Sequence, residues 1–300
     1  MRISAFAVTL VVGLLAGCAT GVTPAPSTGS GGGAPAASAN PGVVAPAAAP
    51  TVIPIEAAAT LAAAPLVPAI PAAGVTIVYE EGSQFELWSP GGQRVLVDIA
   101  HADRLTSPPT ASDVLLTTHF HQDHYTREFI AAFPGKALTV EEGALSAGDV
   151  KVRSIAAAHN EGLPIESNGG SDYIFTIDVG GIRVAVFGDL GQDALTADQM
   201  EALGTVDVAI SQLENSMSDV TAANRKAIAQ MNQVHPAVLI PTHIDVMAAA
   251  KVAGAEWATA STGSWVTIAR DRLPSATTVL FMGDLATAYR TILGITSPAW

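Results

Sequence analysis

Short apolar runs separated by turn residues dominate the chain from Gly74 onward, and their spacing predicts strands before it predicts helices. Val75-Thr76-Ile77-Val78-Tyr79 and Phe85 to Trp88 read as two strands. Ser89-Pro90-Gly91-Gly92 is a turn into a third, Arg94 to Ile99, with the unbroken apolar run Val95-Leu96-Val97. Val114-Leu115-Leu116 and Val150 to Ile155 follow, and Tyr173 to Val179 and Ile182 to Phe187 flank Gly180-Gly181, a hairpin signal. Thr196 with Gln199 three residues on is a capping box, with Gly204 as the stop. Thr221 to Val234 has helical composition and ends before Pro236. Val206 to Ile210, Val238-Leu239-Ile240 and Thr277 to Phe281 complete the strands. Strands first, then mixed strands and helices, predict an α/β (α+β) layered domain over residues 74–300.

The segment before Gly74 has a different texture. Met1-Arg2 precedes an apolar run, Ile3 to Leu15, that is too short to span a bilayer comfortably. The run ends in Leu15-Ala16-Gly17-Cys18, which resembles the bacterial lipoprotein signal. That resemblance implies removal of residues 1–17 and lipidation of Cys18, giving a stable membrane anchor on the non-cytoplasmic side, in the periplasmic cell envelope. Residues 18–73 are rich in Ala, Pro, Gly and Ser, including Ser30-Gly31-Gly32-Gly33, and read as a disordered tether.

Charge and cysteine content narrow the chemistry. The formal net charge is -13, which disfavours nucleic acid as a partner. Cys18 is the one cysteine, so no intramolecular disulfide can form and a metal site in the domain must use His, Asp or Glu.

Three of the seven histidines, with an acid, fall within His119-Phe120-His121-Gln122-Asp123-His124. Imidazole and carboxylate are the ordinary ligands of zinc-like ions. This motif directly follows the strand at Val114. Three more potential ligands also follow strands: His159, Asp189 and His243. A rigid sheet aiming side chains from several strand ends is a means of fixing metal geometry.

The H-x-H-x-D-H motif, a later His, a Gly-Asp after an apolar strand and a final His resemble the metallo-β-lactamase superfamily. The stretches Arg94 to Ile99, Asp113 to Tyr125, Val184 to Leu190 and Ile240 to His243 look most like the branch containing ascorbate-6-phosphate lactonase. The resemblance implies a four-layer αββα sandwich. It also implies that His119, His121 and His159 hold one metal, that Asp123, His124 and His243 hold a second, and that Asp189 bridges them. Asp123 and Asp189 are then the carboxylates at the reaction centre. The cofactors implied are two divalent ions, Zn2+ first, with Mn2+ or Fe2+ as alternatives. Such ions make hydroxide available at neutral pH and polarise the scissile group. A small-molecule ester, lactone or phosphodiester is the expected substrate. β-Lactam hydrolysis and a non-catalytic metal-binding lipoprotein are the alternatives. One β-lactamase group needs a cysteine on the second metal, another lacks the bridging aspartate, and the flavodiiron branch has glutamate in place of His121.

Other polar residues carry weaker expectations. Asp98 and His101, at a further strand end, are candidates for supporting a ligand or facing substrate. His235 reads as a helix C-terminal cap, Asp284 as structural, and Glu214-Asn215-Ser216 as a surface loop. Glu161 to Ser171, with Gly162, Pro164, Gly169 and Gly170, is expected to form a mobile rim.

Overall fold

The computed structural model describes residues 70–159, 171–243 and 246–293. The targeting segment, Cys18, nearly all of the tether and residues 161–170 of the expected rim lie outside the described residues. In chain order the strands are β1 (Val75–Glu81), β2 (Gln84–Trp88), β3 (Arg94–Val97), β4 (Val114–Thr117), β5 (Lys136–Thr139), β6 (Ala144–Ala147), β7 (Val150–Ala157), β8 (Asp172–Val179), β9 (Ile182–Val186), β10 (Val208–Gln212), β11 (Val238–Thr242), β12 (Ala258–Ser261), β13 (Trp265–Ile268) and β14 (Thr278–Phe281). The helices are α1 (Arg127–Ala132), α2 (Ala197–Leu203), α3 (Lys226–Val234), α4 (Val246–Glu256) and α5 (Gly283–Leu293).

These strands form a six-stranded sheet, β13-β1-β2-β3-β4-β5, and an eight-stranded sheet, β12-β14-β11-β10-β9-β8-β7-β6. Both are mixed. The first is antiparallel from β13 to β3 and parallel from β3 to β5. In the second, β9 to β12 run parallel, while β8 is antiparallel to both β7 and β9.

Period-two alternation explains how the sheets stack. Val95 and Val97 of β3, with Val114 and Leu116 of β4, enter the core shared with Phe175, Val184 and Ile210 of the other sheet. Leu96 and Leu115 point the opposite way and join Ile99 in a separate cluster, covered by Phe129, Ile130 and Phe133 around α1. A strand buried on both faces reads as an unbroken apolar run, which is why β3 and β4 look continuous in sequence. The result is the layered α/β domain that the sequence pattern predicts, in the αββα sandwich form that the resemblance implies.

Local signals account for several boundaries. The capping box of Thr196 and Gln199 opens α2, and Gly204 closes it at φ 60. Gly180 (φ 57) and Gly181 (φ 78) make the β8–β9 hairpin turn, a conformation that L side chains resist. His235 (φ 51) caps α3, its N–H donating to Met231 O at 2.8 Å. Helix α3 starts later than the composition suggests. Thr221 and Asn224 hydrogen-bond each other's backbone, and Arg225 sits at φ 58, so a side-chain-bonded turn replaces the first helical residues. The strands not anticipated, β5, β6, β12 and β13, are four residues each, and β5 and β6 carry mostly exposed or half-exposed residues with little apolar signal.

Candidate metal centre

One edge of the sandwich gathers strand ends from both sheets. β4 delivers Thr118 and His119, β7 delivers His159, β9 delivers Asp189 and β11 delivers His243. Three residues here take left-handed backbone conformations: Asp98 (φ 52), Gly188 (φ 53) and His243 (φ 59). For Asp98 and His243 this costs on the order of 1–3 kcal/mol each, strain of the kind that collects at functional sites. Gly188 has a second constraint. A Cβ there would lie 2.3 Å from Asp172 Oδ1 and 2.8 Å from Thr118 Cβ.

The side chains converge in two groups. His119, His121, His159 and Asp189 place one ligand atom each within 4.8 Å of one another, as do Asp123, His124 and His243. Asp189 divides its oxygens between them. Oδ2 faces His159 Nε2 at 3.4 Å and His119 Nε2 at 3.9 Å, whereas Oδ1 faces His243 Nε2 at 3.0 Å and His124 Nε2 at 3.3 Å. Asp123 Oδ2 lies 3.9 Å from both His124 Nε2 and His243 Nε2, and its side chain is 62 % exposed. Asp123 and His121 are thus the solvent-facing members of the cluster, whereas His119, His124, His159, Asp189 and His243 are buried.

Neighbouring groups set which ring nitrogen faces inward. Asp98 Oδ2 is 2.9 Å from His124 Nδ1, and Thr242 Oγ1 is 2.8 Å from His243 Nδ1. Thr118 donates its hydroxyl to Asp98 Oδ2 at 2.9 Å, while the same oxygen lies 3.0 Å from His119 Nδ1. Ser83 donates to the Asp123 carbonyl at 2.8 Å and anchors the motif loop to the start of β2. With the Nδ1 atoms so engaged, His124 Nε2 and His243 Nε2 face each other at 3.1 Å, and His119 Nε2 faces His121 Nδ1 at 3.2 Å. Imidazole nitrogens this close together, flanked by the Asp189 carboxylate, form a cluster of donor atoms that a shared cation would satisfy. The donor set therefore fits divalent metal ions of the zinc type.

Electrostatics point the same way. Burial and the neighbouring His124 push His119 down to about 3, which keeps it neutral. Burial also opposes charge on His124, but the carboxylates of Asp98 and Asp189 outweigh it and raise its pKa to about 10. Burial disfavours the Asp189 carboxylate, yet hydrogen bonding to His124, His159 and His243 holds it well below the ordinary carboxylate range. A field that retains a proton on a buried imidazole is a field that attracts a metal cation.

Some residues were legible beforehand and others were not. Asp98 sits against His124. His101 is exposed, its backbone clamped by Gln84, and its ring belongs to neither donor group. Asp284 opens α5, outside both groups. Asn215, read as part of a surface loop, donates Nδ2 to Asp189 Oδ2 at 2.9 Å. Its Oδ1 accepts from Met217 N, which fixes the orientation of the amide. Asn215→Ala should weaken metal binding on the order of tenfold, the effect expected when a hydrogen bond to a ligating carboxylate is lost. Competition with a chromophoric chelator measures this, and parental affinity in the variant would count against it. Asp172, which the sequence did not single out, is fully buried with Oδ1 3.3 Å from His119 Nδ1.

Comparison with known proteins gives a consistent answer. A family model described as a beta-lactamase superfamily domain matches residues 76–243, more than half of the chain. A structure from Thermotoga maritima, of the metallo-beta-lactamase superfamily, aligns at 18% identity with a TM-score of 0.51, covering 70% of this chain and 98% of that one. A candidate metal-dependent hydrolase from Parabacteroides distasonis aligns at 21% identity and TM-score 0.44, over 57% of this chain and 83% of that one. The metallo-beta-lactamase fold protein YhfI from Bacillus subtilis aligns at 13% identity and TM-score 0.43, over 69% of this chain and 96% of that one. No curated protein matches the sequence. The matched segment begins in β1 and ends on His243, so it takes in every side chain of the two donor groups, and the chain belongs to the metallo-β-lactamase superfamily.

Proposed function

We propose that this protein is a lipid-anchored, dinuclear metal-dependent hydrolase of the bacterial cell envelope, acting on a small ester, lactone or phosphodiester. The observation that carries the reading is the division of Asp189: one oxygen faces each group of imidazoles. His119, His121 and His159 would hold one ion, and Asp123, His124 and His243 the other, with Asp189 shared. Two divalent ions, Zn2+ first among them, would lower the pKa of bound water and polarise the scissile carbonyl or phosphoryl group.

The residues of the chain supply the remainder. Asp98, Thr118 and Thr242 hold Nδ1 of their histidines and leave Nε2 as the ligating atom. Asn215 restrains Asp189. Asp123, at the solvent side, is placed to take a proton from the attacking water on its carboxylate and hand it on to the leaving group. Phe120, 53 % exposed between His119 and His121 and tilted against Tyr125 with ring centroids 4.8 Å apart, offers apolar contact to an organic substrate. Affinity with the ascorbate-6-phosphate lactonase branch is supported by the motifs at Arg94 to Ile99 and Ile240 to His243. The membrane anchor is supported by Leu15-Ala16-Gly17-Cys18 and the nearly uncharged tether after it.

The test is one preparation of the full chain, purified without chelator and labelled with a fatty acid in the producing bacterium. Elemental analysis should find close to two divalent ions per chain, and the label should depend on Cys18. Lactones, esters or phosphodiesters should be turned over with higher kcat/KM than nitrocefin or carbapenems. The reverse ranking would establish the β-lactam alternative, and absence of metal after supplementation would overturn the proposal.

A further inference from the structure

The eight-stranded sheet brings one more acid to the metal edge, and it arrives from a strand beginning. Because β8 runs antiparallel to β7 and β9, its first residue lies at the edge where those two strands end. Asp172 pairs with Ala157, two residues before His159. Counting outward from the Val179–Ile182 pair in the same register places Asp172 level with Asp189. Its carboxyl group is wholly buried, and neither oxygen has a hydrogen-bond partner. Oδ1 lies 3.3 Å from His119 Nδ1. Space for it exists because position 188 is glycine: a Cβ there would stand 2.3 Å from that same oxygen.

A buried carboxyl without hydrogen bonds is costly, and an apolar residue would fill the volume with less penalty. Persistent orphaned polar atoms of this kind call for a function. The two donor groups suggest which one. His124, in one group, has a carboxylate behind its ring, Asp98, 2.9 Å from Nδ1. His119, in the other group, has Thr118 Oγ1 at 3.0 Å, a neutral oxygen already donating its proton to Asp98. Asp172 is the carboxylate behind His119.

We propose that Asp172 is a positioning residue for His119: its carboxylate, together with the Thr118 oxygen, accepts the Nδ1–H and keeps Nε2 bare and turned toward His121, His159 and Asp189. The inference rests on the metal-centre reading of those residues. It assigns each donor group its own supporting carboxylate, Asp172 for one and Asp98 for the other. A carboxylate behind a ligating imidazole orients the ring and raises its basicity, and losing such a partner weakens metal binding about 10- to 100-fold.

The experiment uses the full chain and Zn2+ itself, titrated against a chromophoric chelator, with thermal unfolding of the chelator-treated protein alongside. Asp172→Asn keeps the shape and removes the acid. It should weaken one of the two ions about 10- to 100-fold and leave the other within about threefold, while the metal-free variant unfolds no earlier than the metal-free parent. Asp172→Leu, apolar and of similar size, should stabilise the metal-free protein and lose the same ion. Parental affinity for both ions in Asp172→Asn would overturn the proposal and leave the metal reading intact. A metal-free variant that unfolds earlier, or does not fold, would make Asp172 a structural residue and also overturn it. A parent chain that binds no Zn2+ would overturn both readings together.

Discussion

Asp189→Ala is expected to reduce hydrolysis by about a thousandfold or more, beyond the 10²–10³ that follows loss of a single charge-stabilising donor elsewhere. The reason is its double duty. Its Oδ1 and Oδ2 serve different imidazole groups, so one substitution removes a ligand from both and deletes the negative charge between them. Metal content should fall from two toward one or none per chain. The fold should survive, because the β9 core residues Val184 and Val186 are untouched and an alanine fits where the carboxylate stood. Asp284→Ala is the matched control. It removes the other Gly-Asp aspartate, at the exposed start of α5, and should change kcat/KM by less than about twofold. Steady-state kinetics and elemental analysis on the pair decide the matter, and reversed phenotypes would move the bridging role to Asp284.

Chelation is the second large effect expected. With free ion about 1,000-fold above Kd, each bound ion contributes about 4 kcal/mol to the stability of the folded state. For a domain of this size that corresponds to a fall in Tm of roughly 10 °C or more when the ions are stripped. The sign follows from the crowding. Without a cation, imidazole nitrogens 3.1 Å and 3.2 Å apart must coexist in a largely buried cluster around Asp189. Differential scanning calorimetry before and after chelator, and again after Zn2+ is restored, measures it. Activity should vanish and return with the same titration. An unchanged Tm accompanied by unchanged activity would remove the metal from both stability and catalysis.

Much of this centre is written locally. The His119 to His124 motif needs only six residues to declare itself, because chelating groups so dense in a chain with seven histidines have little structural use. The strand ends at His119, His159, Asp189 and His243 are legible because each follows a recognisable strand with a buried apolar face. The capping box at Thr196 and the Gly180-Gly181 turn are equally local, being set by side-chain reach and by φ.

Partnership across the sandwich is not local. The division of Asp189 between two imidazole groups depends on how a six-stranded and an eight-stranded sheet are placed face to face, and a resemblance, not the spacing of residues, was the earlier ground for it. Asn215 looked like a surface loop because nothing in Glu214-Asn215-Ser216 reveals that its amide reaches an aspartate on another strand, 26 positions away. Asp172 was missed because ligands were sought where strands end, whereas an antiparallel neighbour brings its beginning to the same edge. The hairpin register contained that information once the turn was placed. A chain thus encodes which residues can ligate and which segments can pair, through forces acting over a few residues. Which atoms meet is decided by sheet register and packing, because those bring together groups whose separation along the chain carries no energy of its own.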